Sequence, residues 1–110
     1  IYHNNRCQKS RLGVKLLEKM GCNFEIVNYL INPITKETLK TLIKALDMQP
    51  IDLVRTNEAL WKSKFKGKTL SDDEIINTML SHPKLIERPI VTNGNKAVVG
   101  RPTERIQEIV

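Results

Sequence analysis

The sequence predicts an α/β fold: one domain with a four-stranded mixed sheet, helices on its faces and an inserted helical segment. Three observations lead there. Two short apolar stretches, Ile1-Tyr2-His3 and Phe24 to Tyr29, enclose an amphipathic one; residues 35–82 hold a helical period between caps; and residues 89–99 return to short strands around a turn.

Taken in order, Ile1-Tyr2-His3 opens a strand that runs into the polar Asn4-Asn5-Arg6 and ends at Cys7. Leu12, Leu16, Leu17 and Met20 form a helical stripe between Ser10 and Met20, with Gly21 placed to stop it. Phe24 and Ile26 alternate as a second strand with Asn28-Tyr29 at its end. Two strands joined by a crossover helix are expected to be parallel. After the break at Asn32-Pro33, Thr35 can cap a helix with stripe Leu39, Leu42, Ile43 and Leu46. Pro50 starts a short irregular or helical piece through Leu53 and Val54 that ends near Arg55, and Asn57 to Leu70 is poorly periodic, with Trp61 and Phe65 as core anchors. Ser71-Asp72-Asp73-Glu74 is a capping box for a helix carrying Ile75, Ile76, Met79 and Leu80, closed by His82-Pro83. Pro89 to Thr92 and Lys96 to Val99 flank Asn93-Gly94-Asn95, a hairpin signal, so the last two strands are antiparallel. Gly100-Arg101-Pro102 leads into a final helix with Ile106, Ile109 and Val110. The sheet core is expected over 1–34 and 83–110, with the helical insertion over about 35–82.

At 110 residues the chain is one domain with room for a core, and 40% hydrophobic with 27% charged residues is an ordinary globular balance. No apolar run approaches the roughly 20 residues of a membrane span. The chain opens on Ile1 rather than Met, so a few missing or processed N-terminal residues are expected, and a cytoplasmic location is the plain reading. A net charge of +6 is compatible with nucleic acid, an anionic substrate or solubility alone, and the few, scattered aromatic residues argue against a nucleic-acid stacking platform. Lys62, Lys64, Lys66 and Lys68 read as a solvated loop face.

Cys7 and Cys22 lie beyond opposite ends of a helix about 18 Å long. Bridged cysteines need Cα atoms within roughly 7 Å, so no intramolecular disulfide is expected. Cys7 is then a free thiol in a reducing compartment, and Cys22 a small packing residue after Gly21. At a strand-to-helix junction the unpaired N–H groups and the helix macrodipole favour thiolate, the nucleophilic form. Three further segments each supply one arginine: Arg55, Arg88 and Arg101. Singly these read as surface residues; a thiolate with converging guanidinium groups is a device for a small oxyanion. His3, if protonated, would further favour the thiolate, and Ser10 could donate to the sulfur from one turn on. His82 reads as a helix end. Two cysteines and two histidines at these spacings form no metal ligand set. A phosphatase-type loop needs an arginine six positions after its cysteine, where this chain has Gly13.

Four motifs carry a resemblance: Ile1-Tyr2-His3-Asn4-Asn5-Arg6-Cys7 with Ser10; Leu53-Val54-Arg55-Thr56; His82-Pro83-Lys84-Leu85-Ile86-Glu87-Arg88-Pro89-Ile90-Val91; and Val99-Gly100-Arg101-Pro102-Thr103-Glu104. In this order and spacing the chain resembles the glutaredoxin-linked arsenate reductases over essentially its whole length. The resemblance implies a thioredoxin-like four-stranded mixed sheet with flanking helices and an inserted helical subdomain. It implies that Cys7 attacks arsenate to form a covalent thiol–arsenate adduct, which glutathione and glutaredoxin resolve to arsenite. Arg55, Arg88 and Arg101 match the arginines that hold the oxyanion; His3, Asn4 and Ser10 match positions beside the thiolate; Pro89 matches the proline after a cis bond. Glutathione is then a co-substrate, no cofactor is bound, and a monomer without nucleic-acid or membrane partners is expected. Asn5 stands where the family usually has proline, and Gln8-Lys9 where smaller residues are frequent.

Two other readings share the fold. Spx-type redox-responsive transcriptional regulators typically carry two cysteines two residues apart, and their later motif generally lacks the Arg-Pro pair; Ser10 and Arg101-Pro102 favour the enzyme. A glutathione-binding thiol protein acting on something other than arsenate could use the same pocket.

Overall fold

In the computed structural model, which describes residues 1–65 and 67–110, the chain folds as two units: Ile1–Asn32 together with Arg88–Val110, and Pro33–Glu87. Lys66, part of the lysine cluster, lies outside the described residues.

The first unit holds strand β1 (Tyr2–His3), helix α1 (Gln8–Lys19), and strands β2 (Val27–Asn28), β3 (Ile90–Asn93) and β4 (Lys96–Val99). The sheet order is β2-β1-β3-β4. β1 pairs parallel with β2 (Tyr2↔Val27, His3↔Asn28) and antiparallel with β3 (Tyr2↔Ile90), while β3 and β4 pair antiparallel from Ile90↔Val99 to Asn93↔Lys96. This is the mixed sheet that the crossover helix and the hairpin predict. Gly94 takes φ 61° in the two-residue loop, a conformation that costs a glycine little. Gly21, at φ 72°, ends α1: its N–H donates to the Glu18 carbonyl (3.0 Å) and the Cys22 N–H to the Leu17 carbonyl (3.2 Å), a Schellman pattern.

The core of this unit gathers Ile1, Leu17, Val91, Val98 and Ile106, with Cys22 and Phe24 packed against it. Cys22 therefore occupies the packing role its sequence position suggests. Two glycines let the backbone close on Pro89: a Cβ at Gly13 or at Gly100 would lie 3.0 Å from the Pro89 ring.

Two expectations need correction here. β2 is confined to Val27–Asn28; it pairs only with the short β1, so Phe24 contributes its side chain without joining the ladder and Ile26 stays exposed. The final helix is a 3₁₀ segment, Thr103–Glu108. Side chains three apart eclipse in that geometry, so Ile106 and Ile109 fall on one side, Ile106 fully buried and Ile109 packed against the core.

The second unit contains helices α2 (Lys36–Leu46), α3 (Ala59–Lys64) and α4 (Asp72–Ser81). Thr35 caps α2, its hydroxyl accepting from the Thr38 N–H at 3.2 Å. Ser71 and Glu74 form the reciprocal capping box of α4, at 3.2 and 3.0 Å. Leu39, Leu42 and Ile43 of α2 and Ile75, Ile76 and Met79 of α4 are buried where the two helices pack. The poorly periodic segment does hold the short helix α3, anchored by buried Trp61, whose ring stands 5.4 Å from that of Phe65. A 3₁₀ turn, Pro83–Leu85, follows α4 and brings Ile86 to bridge Val54. The Glu87 N–H donates to the Leu53 carbonyl (2.8 Å) and the Arg55 N–H to that of Leu85 (2.7 Å), so residues 83–87 belong with the helices and the unit runs past the expected limit near 82.

Candidate active site around Cys7

Beyond β1 the chain turns through Asn4-Asn5-Arg6. The Cys7 N–H donates to the Asn4 carbonyl (3.0 Å) and the Arg6 N–H to Asn4 Oδ1 (3.0 Å). Asn4 N–H donates to Ser10 Oγ (3.4 Å), and Arg11 Nη1 reaches back to the Asn5 carbonyl (3.0 Å). Asn4 and Ser10 are buried, so this turn is fixed by satisfied polar groups. Cys7 is the N-cap of α1, extended at φ −96°, ψ 124°. Its sulfur thus faces the open end of a helix.

Arg88 precedes β3 and Arg101 follows β4. The hairpin register, extended by the Gly100 N–H donating to the Pro89 carbonyl (2.8 Å), sets these two residues side by side although they are far apart in sequence. Arg101 Nε donates to the Arg88 carbonyl (2.7 Å), and its Nη2 lies 3.5 Å from Cys7 Sγ. The Arg88 guanidinium is close enough to the sulfur to stabilise its anionic form. Both Arg88–Pro89 and Arg101–Pro102 are cis.

These contacts decide the state of the thiol. Burial pushes the Cys7 pKa up, but the Arg88 guanidinium and the N–H groups of Ser10 and Lys9 outweigh it, and the net result is about 6. Thiolate therefore outnumbers thiol about tenfold at pH 7.

The supporting residues act differently from their sequence roles. His3 is buried, and burial lowers its pKa below the usual 6.5, so it is neutral at pH 7 and adds no charge to the thiolate's surroundings. Its Nδ1 has no hydrogen-bond partner among the described residues. The Ser10 hydroxyl accepts from Asn4, while the Ser10 main-chain N–H favours the anionic sulfur. Of the four residues predicted to be catalytic, Cys7, Arg88 and Arg101 come together in the first unit. Arg55 belongs to the second, where Nε pairs with Glu58 Oε1 at 3.3 Å and Nη1 is buried without a hydrogen-bond partner among the described residues. Sequence reasoning missed Tyr29, fully buried in the first unit, because it read as the end of a strand. A groove of about 720 Å³ lies elsewhere in the first unit, beside Cys22; no arginine, lysine or histidine lines it, so it offers an anion nothing comparable.

A mixed four-stranded sheet with one cysteine at the N-terminus of its first helix, facing two arginines, defines a thioredoxin-like α/β protein whose chemistry centres on a single thiolate. Residues 2–109 match the model of the ArsC family, and the chain belongs to that family. It is 44% identical to the uncharacterized protein YfgD of Escherichia coli strain K12, over 100% of this chain and 94% of that one. With an arsenate reductase of Haemophilus influenzae it shares 39% identity over 100% of this chain and 97% of the relative. The solved structure of an arsenate reductase from Vibrio cholerae superposes with a TM-score of 0.93 at 40% identity, covering 99% of this chain and 94% of that one.

Proposed function

We propose that this protein is an arsenate reductase that uses glutathione and glutaredoxin as its reducing system. The observation that carries the reading is the Cys7 thiolate held between two guanidinium groups at a helix N-terminus; relatives of closely similar length that carry the name arsenate reductase support it. Arsenate is an anion near neutral pH, and a thiolate approaches it only where cations offset the repulsion. Arginine suits the task because it stays charged and offers several donors in a fixed fork.

Cys7 Sγ attacks arsenic; a sulfur–arsenic bond forms and one arsenate oxygen, protonated, leaves as water. Arg88 and Arg101 stabilise the negative charge on the remaining oxygens. The glutathione thiol displaces a second arsenic-bound oxygen as water, and a glutaredoxin thiol then attacks the glutathione sulfur: that sulfur–arsenic bond breaks with its electron pair left on arsenic, a glutathione–glutaredoxin disulfide forms, and arsenic passes from the +5 to the +3 state. Water then cleaves the Cys7–arsenic bond, releasing arsenite and returning the thiol. Arg55 is proposed as a third oxyanion ligand on the family motif. Two free cysteines suit a reducing, cytoplasmic setting.

The test is NADPH consumption in the presence of glutathione, glutathione reductase and glutaredoxin, with and without arsenate. Consumption should require arsenate and vanish in Cys7→Ser. An equal rate without arsenate, or full activity in Cys7→Ser, would overturn the assignment.

A further inference from the structure

The turn between β3 and β4 is tied to the last 3₁₀ segment. Asn93 Nδ2 donates to the Ile109 carbonyl at 2.6 Å, across 16 residues of sequence. The segment held in this way is Thr103–Glu108, with Ile106 fully buried and Ile109 packed against the core of the first unit. Asn93 and Gly94 are both exposed, and Gly94 takes φ 61°. Among the asparagines of the sequence, Asn93 alone precedes a glycine. That pairing matters chemically, because glycine has no side chain to shield its main-chain nitrogen or to restrict its approach to the amide carbon one residue back.

We infer that Asn93 is a site of spontaneous deamidation and that its bond to the Ile109 carbonyl governs when the reaction occurs. The Gly94 nitrogen attacks Asn93 Cγ and gives up its proton, the Cγ–Nδ2 bond breaks, and the amide nitrogen leaves as ammonia. Water opens the resulting succinimide at either carbonyl, giving aspartate or, with an extra carbon in the main chain, isoaspartate. Water is the only co-reactant, and nothing is oxidised or reduced. While Nδ2 stays bonded to Ile109 the side-chain amide is not free to rotate onto the Gly94 nitrogen, so conversion proceeds when the last segment lifts. An amide NH₂ donates, whereas a carboxylate only accepts. The product therefore sets a negative oxygen against a carbonyl that also accepts, and the tie cannot re-form. Each molecule loosens its last segment once, irreversibly.

Neither arsenate nor the Cys7 thiolate enters this chemistry, so the test reads the asparagine directly. The full chain is held at mildly alkaline pH and sampled over days; each asparagine is followed by peptide mass spectrometry, and isoaspartate is counted by enzymatic methylation. Asn93 should convert first, roughly tenfold faster than Asn95, which shares the turn but precedes Lys96. Ile109→Gly removes the packing that seats the carbonyl and should speed conversion of Asn93 roughly fivefold, with Asn95 unchanged and folding checked by near-ultraviolet circular dichroism. In the purified deamidated protein, amide hydrogen exchange over residues 103–109 should be roughly fivefold faster than in the wild type, and Asn93→Asp should reproduce that change. An Asn93 that converts no faster than Asn95 overturns the site. Equal Asn93 rates in the wild type and in folded Ile109→Gly, or unchanged hydrogen exchange after deamidation, overturn the role of the Ile109 bond; the second comparison decides alone if Ile109→Gly does not fold.

Discussion

Cys7 is acidic because one side chain and two main-chain N–H groups outweigh the burial that opposes its charge. Arg88→Ala removes the largest of the favourable influences; the pH midpoint of Cys7 alkylation by iodoacetamide, measured in a Cys22→Ser background, should climb well above about 6 toward the ordinary thiol value of 9.0. The same acidity links stability to pH. Between about 6 and 9.0 the unfolded chain carries a proton on Cys7 that the folded chain has released, so raising the pH through this window favours the fold, and the gain is lost as the pH falls through 6. The difference in Tm between wild type and Cys7→Ser should therefore widen from pH 6 to 9, and a constant difference would contradict it. The sequence made the thiolate legible through the strand-to-helix junction. It could not assign the shares: His3 reads as a charge donor until its burial is known, and Ser10 acts on the sulfur through its main chain, which no residue type announces.

The elements that were easiest to foresee are those whose ends are written in side chains. Thr35 and the Ser71–Glu74 box bound α2 and α4 as read. Ser71→Ala should cost about 1 kcal/mol in urea unfolding, with an unchanged m-value. Elements set by partners were harder. α3 has six residues and takes its place from Trp61 packing, below the length at which a period can be recognised. β2 is cut to two residues by its pairing with β1, and the last helix tightens to 3₁₀. Gly13 lies within α1, where alanine would ordinarily help by roughly 1 kcal/mol. Here its Cβ would sit 3.0 Å from the Pro89 ring and 3.2 Å from Ile1. Gly13→Ala should thus be net destabilising, by about 1–2 kcal/mol, since a buried proline ring gives way poorly.

At the scale of the whole molecule, strands from both ends of the chain build the unit that carries the thiolate, while the residues between them form a helical unit of their own. The parallel and antiparallel pairings were legible because they follow from connection rules, which hold for any chain with this element order. The junctions were legible only to a few residues, since the bridge from Val54 to Ile86 that extends the second unit is a long-range pairing without a local signal. No helix among the described residues is long and apolar enough to cross a membrane. Arg55 enters only through the proposed reaction, as a third ligand for the oxyanion. Arg55→Ala should therefore lower arsenate-dependent turnover while leaving the alkylation midpoint in place, and a shifted midpoint would tie it to the thiol instead.

Because Arg88 and Arg101 flank the two strands of one hairpin, the spacing of their backbones is fixed by main-chain pairing, and the Arg101 Nε bond to the Arg88 carbonyl fastens one side chain across it. Strand register doubles as a ruler for the anion. One residue inserted beside Val99 would turn the Arg101 side chain to the opposite face of the sheet. Such a protein could keep its core and its melting behaviour and still present a blunted sulfur, so the thiol would report a slip in the backbone that bulk stability measurements overlook.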